Sequence, residues 1–353
     1  MGASYTVDVI PGDGIGQEVT PAATACIDVL AERLGFNIQW RERDWGSDHY
    51  RATGRMLPVD GLEQMADADA ILLGAVGDVD IPDDVTLWGL LIPIRREFDQ
   101  YINLRPSRTL PGVPSPLAGD KKLDVVVVRE NVEGEYSEIG GRFRRGQPDE
   151  LALQEAIFTR KGVSRVTRFA AELATERSGR LVSATKSNGI IHTMPFWDEV
   201  ARETVAAFPA VTLEKVLVDA LAARVVLAPD SLDVIVASNL FGDILSDLAA
   251  AVAGSLGVAP SANLNPEREH PSLFEPVHGS APDIAGKGLA NPVAAIWAGG
   301  MMLRHLGEPE AADAIETAFG AVLANGTRTR DLGGSASTTE FTDAVLAELK
   351  RVE

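Results

Sequence analysis

Two aspartates four residues apart, Asp243 and Asp247, stand in the segment VIVASNLFGDILSDLAAAVA (234–253). The apolar run at 234–238 reads as a buried strand. Asn239 then caps a helix whose apolar positions Ile244, Leu245, Leu248 and Val252 follow helical spacing. That spacing puts Asp243 and Asp247 on one helix face, one turn apart. Like charges so placed cost a helix about a few tenths of a kcal/mol. A divalent cation between them would remove the repulsion, although a solvated acidic face is the plainer reading of two such residues alone. Asp219 closes another apolar run and offers a third carboxylate. Three carboxylates with water and substrate oxygens suit octahedral Mg²⁺ or Mn²⁺. A hydroxy acid would chelate such an ion through its hydroxyl and a carboxylate, which acidifies the hydroxyl and later stabilises an enolate.

Arginines complete the anionic half of that chemistry. Arg95 falls on a short helix, Arg105 at its exit and Arg129 at a strand end. Converging, the three would form a multidentate carboxylate clamp; singly, each is an ordinary surface arginine. Lys186 and Tyr136 supply protons to move. A lysine close to a metal and arginines is expected to lose basicity and serve as a base, while a structural Lys186 fits the position equally well. The segment 275–291, EPVHGSAPDIAGKGLAN, is rich in glycine and small residues that let a ligand approach the backbone, and His278 offers an adenine or ribose contact. An ordered loop without a ligand has the same composition.

These groups need a scaffold. Four apolar runs end on polar residues: 123–128 at Arg129, 181–185 at Lys186, 213–218 at Asp219 and 234–238 at Asn239. Separated by helical stretches, they read as parallel strands buried on both faces. Ligands bind beyond the carboxyl ends of such strands, so the four ends form one coherent site. A further buried strand spans 70–73. Pro93 opens a helix at 94–101 that stops before Arg105-Pro106. Residues 106–119 read as a crossing between domains, and 151–159 as an arm strand at a subunit contact or a surface hairpin. Near the start, a strand at 5–10 leads through PGDGIG (11–16) into a helix at 17–34. The glycines form G-x-G-x-G without the later acidic residue of a dinucleotide fingerprint, so a Rossmann motif is rejected in favour of a tight turn. Ser337 and Glu340 form a capping box before Phe341, Val345 and Leu349.

The 353 residues favour two domains, with 45% hydrophobic and 24% charged residues as in soluble proteins. Against 32 basic residues stand 51 acidic ones, a net charge of −19 that argues against nucleic acid or an anionic membrane as partner. The lone Cys26 suits core packing in a reducing cytoplasm. No signal peptide or membrane span is visible.

With those motifs in hand, the chain resembles the β-decarboxylating dehydrogenase family of isocitrate, 3-isopropylmalate, homoisocitrate and D-malate/tartrate dehydrogenases. The resemblance runs from PGDGIG to DLGG (331–334) and includes NLRP, RENVEGEYSEIGGR, ATKSNGI, SNLFGDILSD and FEPVHGSAPDIAGKGLANP. It implies an α/β isopropylmalate dehydrogenase-like fold, not a Rossmann fold, with two domains sharing a large mixed sheet. A discontinuous cofactor-binding domain (1–102 plus 254–353) would flank a smaller domain (103–253) carrying the dimer interface and arm. By resemblance Arg95, Arg105 and Arg129 hold substrate carboxylates, Tyr136 protonates the enol carbon and Lys186 serves the hydroxyl proton relay. Asp219, Asp243 and Asp247 bind Mg²⁺ or Mn²⁺. A K⁺ requirement stays open. The lysine and one aspartate come from the partner subunit, so a homodimer is expected. Glu275, His278, Gly279, Ser280, Ala281, Asp283, Ile284 and Asn291 would contact the cofactor. Asp283-Ile284 stands where NADP users carry lysine and tyrosine, and a carboxylate there repels a 2′-phosphate, so NAD is expected.

Before Arg95 the chain reads TLWGLLIPIR. Trp88, Leu91 and Ile92 replace the polar groups that would hold the third carboxylate of isocitrate. Trp88, Pro93 and NVEGEYSEIGG look like D-malate/tartrate dehydrogenase, with 3-isopropylmalate dehydrogenase as the alternative. A non-catalytic ligand-binding subunit is the rival from another class, and the retained Tyr136, Lys186 and three aspartates argue against it.

Overall fold

A computed structural model describes residues 2–119 and 121–351. Its strands are β1 (Ser4–Gly12), β2 (Asn37–Glu42), β3 (Ala70–Ala75), β4 (Ile102–Arg108), β5 (Asp124–Glu130), β6 (Gly140–Phe143), β7 (Leu151–Gln154), β8 (Arg180–Thr185), β9 (Thr212–Leu217), β10 (Val234–Ala237), β11 (Pro260–Leu264) and β12 (Ser272–Pro276). The chain divides into two compact units. The first comprises Met1–Gln100, Arg108–Pro116 and Ala250–Glu353, and the second Tyr101–Ser107 and Leu117–Ala249.

In the first unit the strand order is β2-β1-β3-β12-β11. β1 runs parallel to β2 and β3, and β3 to β12, while β11 is antiparallel to β12, which makes the sheet mixed. The central β3 is buried at all six positions, as its unbroken apolar sequence requires. Ile10, Ile71, Leu73, Leu90, Leu91, Ile94, Phe98 and Leu273 pack into one core on this sheet. The helix Val293–Leu306 is apolar nearly all round and is buried between the helices Gly16–Leu34 and Pro309–Ala324. Cys26 lies in this interior, where burial pushes its thiol up to about 12. At the C-terminal helix Thr338–Leu349, Ser337 and Glu340 form the expected capping box, and Phe341, Val345 and Leu349 are fully buried.

The glycine run is the tight turn expected. Gly12 has φ +69°, and a Cβ there would stand 2.0 Å from the Ala75 carbonyl oxygen. The region around Pro93 differs from expectation. Helical backbone begins at Asp83, passes through a π-helical turn at Leu87–Leu91 and ends at Glu97, so Pro93 sits early in the last segment, Ile92–Glu97, and does not open the helix.

In the second unit the order is β4-β5-β10-β8-β9, with β5, β10, β8 and β9 mutually parallel. Helices at Arg160–Glu176 and Thr193–Val205 cover these strands, and Trp197, fully buried, donates from Nε1 to Ser183 Oγ at 3.0 Å. Burial on both faces holds for β5, β8 and β10 and fails for β9. β9 is the edge strand, and its side chains are exposed or half-buried. β6 and β7 form a separate antiparallel ribbon whose residues are all exposed. No helix among the described residues is long and apolar enough to cross a membrane.

Candidate active site

The four parallel strands of the second unit deliver their polar residues to one end. Arg129 is the penultimate residue of β5, Lys186 follows β8, Asp219 lies in the first turn of the helix Val218–Leu227 after β9, and Asn239 opens the helix Asn239–Ala253 after β10. That helix carries the acidic pair. Gly242 in its first turn lets it lie against Arg129, since a Cβ at Gly242 would meet Arg129 Cβ and Cγ at 2.6 Å.

Asn239 does not cap the helix with its side chain. Its Oδ1 accepts from Arg129 Nε at 3.1 Å and Nη2 at 2.7 Å, and its Nδ2 donates to the Glu133 carbonyl at 3.2 Å. Glu135 takes over at the helix start: its carboxylate accepts from Ser238 Oγ at 2.8 Å and from Leu240 N at 3.0 Å. Ile244 also departs from the apolar stripe. Its side chain is exposed while the next residue, Leu245, is fully buried.

Asp243 is the hub. Arg129, 2% exposed, bonds its Oδ1 through Nη1. Arg105 Nη1 stands 3.2 Å from Asp243 Oδ1, 3.2 Å from Asp247 Oδ1 and 2.9 Å from Ser246 Oγ. The guanidinium thus sits between the two carboxylates and offsets the repulsion that their spacing creates. Tyr136 Oη donates to Asp243 Oδ2 at 3.2 Å. Burial and the Asp243 charge hold the Tyr136 phenol above its ordinary range, against the opposing pull of Arg129, so it stays protonated and able to donate. Burial also raises the Asp247 carboxyl, assisted by Asp243 and opposed by Arg105.

Lys186 and Asp219 stand apart from this cluster. Lys186 Nζ lies 2.6 Å from Asp219 Oδ1, and Asp219, largely exposed, is held below the usual carboxylate range by that bond. The lysine thus has a carboxylate as its ion-pair partner. Among the described residues no group of three or more His, Cys, Asp or Glu side chains is placed to hold a metal ion. The expected metal triad is therefore not assembled within one chain. One copy supplies two adjacent hard oxygen donors, Asp243 and Asp247, whose chemistry fits Mg²⁺ or Mn²⁺.

In the first unit, Arg95 is buried on the helix Ile92–Glu97 and its Nη2 donates to Glu275 Oε1 at 3.1 Å. The same oxygen accepts from Asn263 Nδ2 at 2.7 Å. Glu275 is thus committed to Arg95 and Asn263. Leu91 is buried in the core, whereas the Trp88 ring lies under the Arg96 guanidinium, 4.9 Å from it. With Pro93, Trp88 lines a groove alongside Tyr50, Met56, Leu57 and Leu62.

The segment after β12 is irregular, as expected of a loop. His278 Nε2 is buried and has no hydrogen-bond partner, and burial lowers the ring below its ordinary range, so it is a neutral imidazole with one nitrogen in reserve. An orphaned ring nitrogen fits a nucleoside contact. Gly279 is exposed with open space at its Cβ position, and Ala281 takes a left-handed φ of +41°. Asp283 is exposed, and only its carbonyl is engaged, accepting from Lys287 Nζ at 2.6 Å. Ile284 is half-buried and donates its N–H to the Ala281 carbonyl. Ser280 is buried, and its carbonyl accepts from Ile15 N. Asn291 lies just before the next helix, accepting from Val293 N at 3.1 Å and donating to Asp331 Oδ2 at 2.9 Å.

Sequence reasoning passed over Glu135, Ser246 and Asp331, which hold the site residues in place. Glu135 lies inside a motif already singled out, and Ser246 sits between the two aspartates.

Known proteins match this chain along nearly its whole length. Residues 6–345 match the isocitrate/isopropylmalate dehydrogenase family. A probable tartrate dehydrogenase/decarboxylase of Agrobacterium vitis is 53% identical over 97% of this chain and 96% of its own. The D-malate dehydrogenase [decarboxylating] of Escherichia coli K12 is 51% identical over 98% of both chains. Among solved structures, isocitrate dehydrogenase from Methylococcus capsulatus superimposes with a TM-score of 0.89 at 33% identity, covering 98% of this chain and all of that one.

Proposed function

We propose that this chain, which belongs to the isocitrate/isopropylmalate dehydrogenase family and is a decarboxylating dehydrogenase, acts on D-malate or tartrate with NAD⁺ and a divalent cation. The observation that carries this reading is the meeting of Arg105, Arg129 and Tyr136 on the Asp243–Asp247 face. Two guanidiniums suit a dicarboxylate, and a phenol kept protonated suits return of a proton to carbon.

D-malate dianion and NAD⁺ would give pyruvate, CO₂ and NADH. NAD⁺, when bound, would accept the hydride from C2, while the hydroxyl proton would leave through Lys186 and the C3–carboxylate bond would break. Tyr136 supplies one proton to C3, so one proton is lost and one returned. Asp243 and Asp247 would hold Mg²⁺ or Mn²⁺ with Asp219, and such a cation polarises the substrate oxygen. Arg105 and Arg129 would orient the carboxylates, a role the family resemblance also gives to Arg95. The Lys186–Asp219 pair would serve the site of a second copy, since one chain does not bring Asp219 to Asp243. His278, Gly279, Ser280, Ala281, Asp283 and Ile284 would shape the adenosine site, with an exposed carboxylate that favours NAD over NADP.

The test is NADH formation by the purified protein with Mn²⁺, comparing kcat/KM for D-malate, the tartrate isomers and 3-isopropylmalate. Highest values for D-malate or tartrate uphold the reading. A preference for 3-isopropylmalate moves the chain to that substrate, and absence of turnover on all of them favours a ligand-binding subunit.

A further inference from the structure

The segment 279–288 has no regular secondary structure, yet two bonds from the PGDGIG turn and its helix fix it. Ile15 N donates to the Ser280 carbonyl at 2.8 Å, and Gly286 N donates to Glu18 Oε1 at 2.6 Å. At its far end the loop is tied again, by Thr338 N to the Gly288 carbonyl at 2.9 Å.

The turn that reaches the loop is itself rigid. Asp13 is buried and accepts from Ser47 N at 2.7 Å, Ser47 Oγ at 2.7 Å and Gly77 N at 2.8 Å. Gly14 has φ +54°, and a Cβ on it would stand 2.1 Å from the Ser280 carbonyl oxygen. Contact between turn and loop therefore requires glycine at this position. Glu18 lies in the first turn of the helix Gly16–Leu34, where a carboxylate is favoured by the helix dipole. Its Oε1 holds the Gly286 amide, while its Oε2 is buried without a hydrogen-bond partner. A carboxylate with one oxygen desolvated in this way makes a strong, directional acceptor of the other.

We propose that Glu18 is a positioning residue for dinucleotide binding: it latches the 279–288 loop in the form that presents His278 and Asp283, while the glycine run seats the loop's near end. This rests on the reading of that loop as the adenosine site. It also gives the PGDGIG turn a part in cofactor binding without any contact between its glycines and phosphate.

The experiment uses the full chain and NADH as probe. Glu18→Ala is expected to weaken NADH binding about tenfold, the worth of one charge-assisted hydrogen bond. KM for NAD⁺ rises in parallel, with kcat at saturating NAD⁺ within about twofold of the parent. Hydrogen exchange at 280–288 speeds up. Glu18→Gln, whose amide oxygen still accepts from Gly286, recovers most of the affinity. Glu18→Met keeps the side-chain volume without an acceptor and matches alanine if the latch is the cause. His278→Ala tests the loop separately. If His278→Ala weakens NADH and Glu18→Ala or Glu18→Met leaves affinity and exchange unchanged, the latch is wrong and the loop assignment stands. If the Glu18 variants loosen the loop while neither they nor His278→Ala alters NADH affinity, the loop assignment fails and the proposal falls with it. A fall in kcat with KM unchanged also overturns the positioning role.

Discussion

Arg105, Arg129, Tyr136, Asp243 and Asp247 of the second unit grip one another through side chains. The 275–291 segment of the first unit is held largely through its backbone, by Ile15, Glu18 and Thr338. Ion-paired side chains set charge and proton affinity at fixed points. A backbone-held loop sets shape and leaves His278 Nε2 and the Asp283 carboxylate in reserve for a ligand. Substitutions in the second unit should therefore act on chemistry and its pH dependence, and those in the first on cofactor affinity and choice.

The largest effect expected is at Lys186. Lys186→Ala should lower kcat about 10²–10⁴-fold as a lost proton-transfer group. Its thermal stability should hardly change, because an exposed pair such as Lys186–Asp219 is worth about 0–1 kcal/mol. Wild-type turnover in this variant would remove the lysine from the proton relay and blur the contrast between the units.

Next comes Asp283, in the first unit. Asp283→Lys should raise kcat/KM for NADP⁺ relative to NAD⁺ by about tenfold or more, one favourable charge contact at the 2′-phosphate. Steady-state rates with both cofactors decide it, and an unaltered ratio would place cofactor choice elsewhere.

Glu130 sharpens the comparison through stability. It is buried beside Arg129, and burial pushes its carboxyl up to about 8 from an ordinary 4.5, although Val132 N and Glu133 N donate to its Oε2. The folded state thus keeps a proton that the unfolded chain releases. Stability from this group is complete below about 4.5 and is lost as pH rises towards 8. Glu130→Gln keeps an acceptor for both amides and cannot ionise. Its melting temperature should fall less than the parent's between pH 5 and pH 8, and parallel curves would show that Glu130 ionises freely.

The smallest effect is at Cys26. A buried thiol pushed up to about 12 should resist iodoacetamide in the folded protein and react only after denaturation. Labelling of the native chain at neutral pH would mean that the first unit's interior opens readily.

Much of this was legible because apolar runs dictate buried strands and their polar ends dictate the site. Arg129, Lys186, Asp219 and Asn239 fall where those runs stop, and the parallel order of β5, β10, β8 and β9 brings the ends to one side. Partner choice was not legible. Asn239 has the composition of a cap and spends its side chain on Arg129, because Glu135, distant in sequence, reaches the helix start first. Ile244 fits a helical stripe and faces outward, since a one-dimensional pattern does not say which part of a wide stripe is covered. The edge position of β9 depends on strand order, which no local signal encodes. Glu18 shows the same limit: its partner Gly286 is 268 residues away.

The β6–β7 ribbon leaves Phe143, Leu151 and Leu153 exposed, with Ile139 beside it. A lone two-stranded ribbon is marginal in water, and apolar side chains on it are a standing invitation to association. In the homodimer proposed above a second copy would cover it, and the competent species would obey mass action. Specific activity would then become a function of enzyme concentration, and an assay run at high dilution would measure the assembly equilibrium as much as the catalyst.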